Sequence, residues 1–142
     1  MASASALAAH PGVRRAFIAL HGTLGAGKTT FVRHLLHALG VQGRIKSPTY
    51  AVMEPYDLPS GDAAWHFDFY RFDDPQEFED AGFRDVFAAA GLKLAEWPEK
   101  AEGLLPPPDR RIHIDIDADS GRDERRHVRF EAGSALGLEL LP

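Results

Sequence analysis

The chain has 142 residues, of which 44% are hydrophobic and 26% are charged, and its formal net charge at pH 7 is −5. These values are ordinary for one globular domain with a single core. The absence of cysteine excludes disulfides, thiolate zinc sites and a cysteine nucleophile, and the acidic balance disfavours an extended nucleic-acid-binding face. No stretch approaches the roughly 20 apolar residues needed to cross a bilayer, so we expect a cytoplasmic protein without a membrane partner.

The first segment, Met1 to Ala9, is rich in alanine and serine and lacks the early basic residues and strong apolar run of a signal peptide. It predicts a disordered or fraying end, so residues 1–14 are expected to be flexible. Residues 15–132 are expected to form a single domain. The last segment, 133–142, gives no firm structural signal and is interpreted as a tail.

The apolar run Ala16 to Leu20 predicts a strand buried on both faces, as in a parallel sheet. A helix is predicted from Thr29 to Leu39, where apolar residues recur at helical spacing, and Gly40 is a plausible helix stop.

Between this strand and this helix lies Gly22-Thr23-Leu24-Gly25-Ala26-Gly27-Lys28-Thr29, which matches the phosphate-binding pattern G-x-x-x-x-G-K-[ST]. Its glycines allow the backbone to direct several N–H groups at one point, and the following helix adds its positive N-terminal end. We expect Lys28 to reach the outer phosphates of a nucleoside triphosphate and the Thr29 hydroxyl to bind magnesium. A glycine-rich turn that binds nothing is the alternative. The residues expected to bind the nucleotide here are Gly25, Ala26, Gly27, Lys28, Thr29 and Thr30.

The segment Lys46 to Tyr50 is predicted to be a loop, and its Ser47-Pro48-Thr49 lies where phosphate-loop NTPases place a switch segment. Thr49 could supply a hydroxyl to the γ-phosphate, although an ordinary turn also explains the tripeptide. Strands are predicted from Tyr50 to Tyr56 and from Ala64 to Tyr70. The second strand alternates, with Trp65, Phe67 and Phe69 on one face and His66, Asp68 and Tyr70 on the other.

Asp74 and Pro75 are predicted to be the N-cap and first residue of a short helix. This helix continues from Gln76 to Ala81, and the further predicted elements are a helix at 84–90, strands at 92–96 and 111–116, and a hairpin partner strand at 127–131. Because strands and helices interleave and the last two strands form a hairpin, we predict a three-layer α/β fold of the P-loop NTPase type. Its sheet would be mostly parallel, with an antiparallel C-terminal hairpin.

Two acidic residues end predicted strands, Asp68 and Glu96, and a carboxylate at this edge of a parallel sheet could hold Mg²⁺ directly or through water. A solvated surface acid is the alternative for each. His66 shares the face of Asp68 and could orient a ligand of the metal without contacting the metal itself. His34 and His37 lie three residues apart on the predicted helix, but no third ligand is spaced to match them, so solvated positions are expected.

Four motifs in series resemble the TsaE family, formerly YjeE, the small ATPase of bacterial tRNA threonylcarbamoyladenosine synthesis. Their order and spacing also match, and the resemblance covers about Ala16 to Ile116. The motifs are Leu24-Gly25-Ala26-Gly27-Lys28-Thr29-Thr30, Lys46-Ser47-Pro48-Thr49-Tyr50, His66-Phe67-Asp68-Phe69-Tyr70-Arg71 and Glu96-Trp97-Pro98-Glu99.

The resemblance implies that the chain binds ATP and Mg²⁺, with Lys28 on the phosphates and Thr29 on the metal. It implies that Thr49 belongs to a switch-like loop and that Asp68 is the acid important for hydrolysis. It also implies that Glu96 helps to bind Mg²⁺, and that Trp97 supports the nucleotide site or a partner contact.

The resemblance further implies that the ATPase docks on a complex of TsaD and TsaB and supports its turnover, with tRNA held by those partners. Two other functions remain open from the residues alone. One is a small-molecule or nucleotide kinase that uses the same loop, and the other is a nucleotide-sensing adaptor without catalysis.

Overall fold

The computed structural model describes residues 2–23, 27–45, 52–116 and 126–140. Six strands form one sheet in the order β2-β3-β4-β1-β5-β6. Their bounds are β1 Phe17–His21, β2 Met53–Asp57, β3 Ala63–Asp68, β4 Leu92–Glu96, β5 Arg110–Ile116 and β6 Arg126–Ala132. The four central strands, β3, β4, β1 and β5, pair in parallel. The predicted antiparallel hairpin of β5 and β6 is confirmed.

The sheet has a second antiparallel pair that the sequence analysis did not predict. Strands β2 and β3 pair antiparallel at the other edge, from Met53 opposite Phe67 to Asp57 opposite Ala63. The turn between them contains Pro59 to Asp62, and the Leu58 N–H donates to the Asp62 carbonyl oxygen at 2.9 Å. Five residues between two strands are too few for a parallel crossover, so the sheet is antiparallel at both edges.

Helices cover both faces of the sheet and give the predicted three layers. One face packs against α1 and α2, and the other is covered by an aromatic cluster that includes residues of α3 and α4. The bounds are α1 Ala2–Ala9, α2 Lys28–Ala38, α3 Pro75–Asp80, α4 Phe83–Ala88 and α5 Ala135–Glu139, with 3-10 helices at Pro11–Arg15 and Pro98–Ala101. No described helix is long and apolar enough to cross a membrane.

The N-terminal segment differs from the flexible end that the sequence predicts. It forms α1, which buries Ala4, Leu7 and Ala8 in the core it shares with α2. Alanine and leucine favour helices, but residues 2–9 are apolar or small on every side, so they carry no amphipathic stripe to reveal the helix. Packing against α2 provides the stabilisation that a helix of eight residues lacks alone.

The C-terminal segment also forms a helix, although its residues carry no firm structural signal. Helix α5 is capped by Ser134, whose hydroxyl accepts a 3.0 Å bond from the Gly137 N–H. The same hydroxyl donates to Asp109 at 2.7 Å, and the second Asp109 oxygen accepts from the Phe17 N–H at 2.7 Å. One carboxylate therefore ties the start of β1 to the helix at the end of the chain.

The predicted cap of α3 is confirmed. Asp74 accepts a 2.9 Å hydrogen bond from the Gln76 N–H, and Pro75 is the first helical residue. The predicted alternation of β3 is confirmed as well, since Phe67 lies in the aromatic cluster on one face while Ala64 lies in the core on the face of α2.

Candidate functional site

The site is built where β1 ends and α2 begins. Strand β1 ends at His21, and α2 starts at Lys28 with Gly27 as its N-cap. Gly27 has φ +107°, a conformation that side-chain-bearing residues rarely adopt, so glycine is required at this position. The strand–loop–helix context expected for a phosphate loop is present. Gly25 and Ala26 lie outside the described residues.

Lys28 is buried at the first turn of α2, with 4% of its surface exposed. Its ammonium group donates to the Gly22 carbonyl oxygen and lies 3.5 Å from the centre of the Trp97 ring. Burial lowers the pKa of Lys28, while Glu96, Glu99 and Asp68 act to raise it. A buried cation held by one carbonyl and one aromatic face is suited to bind an anion in place of that carbonyl.

Glu96 ends the central strand β4 and is the acidic centre of the site. It is 3% exposed, and its two carboxylate oxygens lie 2.9 and 3.0 Å from the Thr29 hydroxyl, which donates toward them. In the sheet register Glu96 lies between Leu20 of β1 and Asp68 of β3. The parallel register therefore places Glu96 beside Asp68, and the packing of α2 brings Thr29 to it from 67 positions away in the chain.

A histidine of β3 completes the contacts of Glu96. His66 is fully buried, and its Nε2 lies 2.6 Å from Oε2 of Glu96. Because an ionised carboxylate only accepts hydrogen bonds, Nε2 carries the proton and donates. Glu96 is thus held from α2 by Thr29 and from β3 by His66.

Asp68 ends β3 beside Glu96 in a partly buried position. Burial raises its pKa, the Tyr70 N–H that bonds Oδ1 at 3.0 Å lowers it, and the neighbouring Glu96 raises it. Two carboxylates in adjacent registers at one sheet edge create a negative field that favours a cation.

Trp97 follows β4 with φ +54°, the one non-glycine residue among those described that has positive φ. This strained conformation turns its ring over Lys28. The ring of Tyr70 covers Trp97 with ring centres 5.0 Å apart. The sequence analysis placed Tyr70 on the face of Asp68 but did not predict this contact, which depends on the positive φ of Trp97.

The remaining residues singled out from the sequence are exposed or lie outside the described residues. Thr30 is exposed on the first turn of α2, and Arg71 is exposed after β3. His34 and His37 are also exposed on α2, and His37 contacts the Gly43 carbonyl oxygen at 2.9 Å. Thr49, with the whole segment Lys46 to Ala51, lies outside the described residues.

A cleft of about 360 Å³ lies beside β1, and none of the residues predicted to bind the nucleotide lines it. Its walls include His21 of β1, Arg111 of β5 and the segment 105–108. His21 contacts Nη1 of Arg111 at 3.0 Å and stacks on His113 with ring centres 4.8 Å apart. Burial, followed by His113 and Arg111, lowers the pKa of His21, so this ring favours its neutral form.

The donor set at Glu96 fits a magnesium nucleotide. A partly buried hydroxyl and a buried carboxylate in contact, with a second carboxylate alongside, are the hard oxygen ligands that Mg²⁺ prefers. Among residues in the described ranges, no three histidine or acidic side chains form a metal site by themselves. Mg²⁺ typically combines one or two carboxylates with substrate phosphates, so an incomplete protein ligand set beside a phosphate loop is what such a site requires.

Comparison with known proteins gives the same family as the four motifs. The family model for "Threonylcarbamoyl adenosine biosynthesis protein TsaE" matches residues 1–128. The tRNA threonylcarbamoyladenosine biosynthesis protein TsaE of Haemophilus influenzae is 42% identical over 122 residues, which cover 86% of this chain and 73% of that protein. Its namesake in Bacillus subtilis is 37% identical over 118 residues, covering 81% and 68% respectively.

The crystal structure of YdiB from Bacillus subtilis is similar to this fold with a TM-score of 0.76. The sequence identity is 28%, and the alignment covers 98% of this chain and 82% of that chain. The matched family model and the relatives above 30% identity lead to one conclusion: this chain belongs to the TsaE family.

Proposed function

We propose that this protein binds and hydrolyses ATP with Mg²⁺, and that it does so as a cytoplasmic subunit acting with TsaD and TsaB homologues. As a member of the TsaE family it takes part in tRNA threonylcarbamoyladenosine biosynthesis. The observation that carries the ATPase proposal is the contact between the Thr29 hydroxyl and the buried Glu96 carboxylate, next to the buried Lys28. A hydroxyl, a carboxylate and an ammonium group at the start of the helix are the groups that phosphate-loop NTPases use to bind Mg²⁺ and phosphates.

Each side chain has a proposed role in that reaction. Lys28 would exchange the Gly22 carbonyl for the phosphates, and the backbone of the loop with Gly27 at its end would bind their oxygens. Thr29 and Glu96 would hold Mg²⁺, which supplies charge neutralisation on the phosphates. Asp68 would orient water and accept its proton, and Trp97 would hold Lys28 beside the loop before the nucleotide binds. Thr49 is proposed to contact the γ-phosphate.

The charge of the chain supports a partner-dependent role. With a net charge of −5, the protein lacks the basic balance of an independent tRNA-binding protein. We therefore propose that TsaD and TsaB homologues hold the tRNA. Since no arginine finger is identified in the sequence motifs, intrinsic turnover should fall below the roughly 1–100 s⁻¹ of free kinases.

Phosphate release from ATP tests the proposal when it is measured with Mg²⁺, with EDTA, and with or without purified TsaD and TsaB. We expect slow release that needs Mg²⁺ and increases with the partners. Lys28→Ala is the matched control and should abolish binding or hydrolysis.

Three outcomes would contradict the proposal. Transfer of the γ-phosphate to a metabolite would identify a kinase. Tight binding without turnover under any condition would identify a nucleotide-sensing adaptor. Unchanged turnover in the Lys28→Ala variant would remove the phosphate loop from the reaction.

A further inference from the structure

We propose that His66 is a positioning residue for the magnesium-binding pair, because it fixes the carboxylate of Glu96 against Thr29. This inference rests on the proposed function and deepens it. His66 would act through Glu96 and would contact neither the nucleotide nor the metal.

The first support is the geometry around Glu96. Its Oε2 receives the His66 Nε2–H at 2.6 Å, while the Thr29 hydroxyl lies 2.9 Å from Oε1 and 3.0 Å from Oε2. The two donors come from different elements, one from α2 and one from β3. With one oxygen held from the sheet, the plane of the carboxylate is fixed, and the other oxygen stays directed at Thr29.

The second support is burial. The side chain of His66 is 0% exposed and that of Glu96 is 4% exposed, so little water is available to replace the bond between them. A buried carboxylate that loses one of its two donors is left with an unsatisfied oxygen. Because this is costly away from water, the side chain reorients. The orientation of Glu96 therefore depends on the imidazole.

The third support is the other nitrogen of the ring. Nδ1 of His66 is buried and has no hydrogen-bond partner among the described residues. Its register neighbours are Leu94 of β4, which contributes to the apolar core, and Glu54 of β2. The bond to Glu96 is the hydrogen bond that the described residues offer this ring, so it accounts for a histidine at this position.

Substitutions at His66 separate this role from simple packing. His66→Gln keeps an N–H donor at about the position of Nε2, whereas His66→Leu removes the donor and His66→Asn retains an amide that is too short to reach Glu96. His34→Leu, at an exposed position of α2, is the matched control. Folding of each variant is checked by circular dichroism.

The experiment measures the affinity of each variant for a fluorescent ATP analogue in EDTA and across a Mg²⁺ titration. We expect His66→Leu and His66→Asn to require about 10–100-fold more Mg²⁺, the usual effect of losing a residue that orients a metal ligand. Their affinity for the analogue in EDTA should remain native. His66→Gln and His34→Leu should keep the native Mg²⁺ requirement.

The outcomes separate this inference from the proposed function. If the native protein binds no analogue, the proposed function fails and this inference fails with it. If the native protein shows Mg²⁺-dependent binding that His66→Leu shares unchanged, only the positioning role is overturned. If His66→Leu does not fold, the comparison of Gln with Asn decides, and equal Mg²⁺ requirements for those two would overturn it.

Discussion

The ammonium group of Lys28 lies 3.5 Å from the centre of the Trp97 ring, over the face of the indole. A cation over an indole face at this distance is electrostatically favourable, more so where it is shielded from water. Trp97 presents its ring by adopting φ +54°, which costs free energy for any residue other than glycine. The cation–π contact therefore links the strained residue after β4 directly to the lysine of the phosphate-loop motif.

Nucleotide binding should change the fluorescence of Trp97, because phosphates would draw Lys28 away from the indole face. The chain has two tryptophans, so Trp65→Phe leaves Trp97 as the sole emitter. We expect addition of Mg²⁺ and ATP to shift or quench its emission, and we expect no response in a Lys28→Ala, Trp65→Phe double variant. Nucleotide binding detected by calorimetry with unchanged Trp97 emission would show that Lys28 stays on the ring.

Glu96→Gln should reduce ATP hydrolysis by at least the 10–100-fold that is typical of losing a group around a metal site. The amide keeps the shape of the side chain and can still accept from Thr29, but it removes the charge that would bind Mg²⁺. Glu77→Gln, an exposed acid of α3, is the control and should leave the rate unchanged. A rate for Glu96→Gln equal to that of the control would exclude Glu96 from metal binding.

Asp68→Asn should lower hydrolysis by roughly 10²–10⁴-fold if Asp68 accepts the proton of the attacking water. It should also stabilise the fold modestly at neutral pH. The pKa of Asp68 is raised above 3.8, chiefly by burial, so the folded state binds the proton more tightly than the unfolded state.

That shift fixes the sign of the pH dependence. Ionisation of Asp68 costs more free energy in the folded state than in the unfolded state. The contribution of Asp68 to the free energy of unfolding therefore falls as pH rises from 3.8 through the raised pKa, and it stays at this lower value at higher pH. The advantage of Asp68→Asn should therefore be present at pH 7 and disappear in acid. Denaturant titrations of both proteins across this range measure it, and an advantage that grows in acid would contradict the assigned shift.

Asp109→Ala should destabilise the protein by about 2–4 kcal/mol, because it removes two hydrogen bonds to a carboxylate. These bonds join the Phe17 N–H and the Ser134 hydroxyl, each at 2.7 Å. Ser134→Ala keeps the Phe17 bond but loses both the bond to Asp109 and the N-cap bond from the Gly137 N–H. Thermal unfolding measures both variants, and native stability of Asp109→Ala would contradict the role assigned to this carboxylate.

Much of the central architecture could be predicted from sequence because its signals are local. The run Ala16 to Leu20 predicts a strand buried on both faces, and the structure has β1 at Phe17–His21. The predicted strand at 92–96 coincides with β4. Glycine, lysine and threonine in consecutive positions specify the phosphate loop, since the chemistry of such a loop comes from neighbouring residues.

Other features depend on contacts between distant segments and carry no local signal. The helix α1 forms where the sequence predicts a flexible end, because its apolar residues show no periodicity until α2 covers them. The short connection makes β2 and β3 an antiparallel pair, but the position of this pair beside β4 depends on pairing with a distant segment.

Consecutive residues are enough to specify the strand and the helix that flank the phosphate-loop motif, and the acids that end two strands. The hydrogen bonds of Glu96 with Thr29 and His66, and the position of Lys28 over Trp97, form only when the chain folds. The reason is physical: the loop is made by consecutive residues, whereas a buried carboxylate takes its donors from elements that the parallel register and the packing of α2 bring within hydrogen-bond distance.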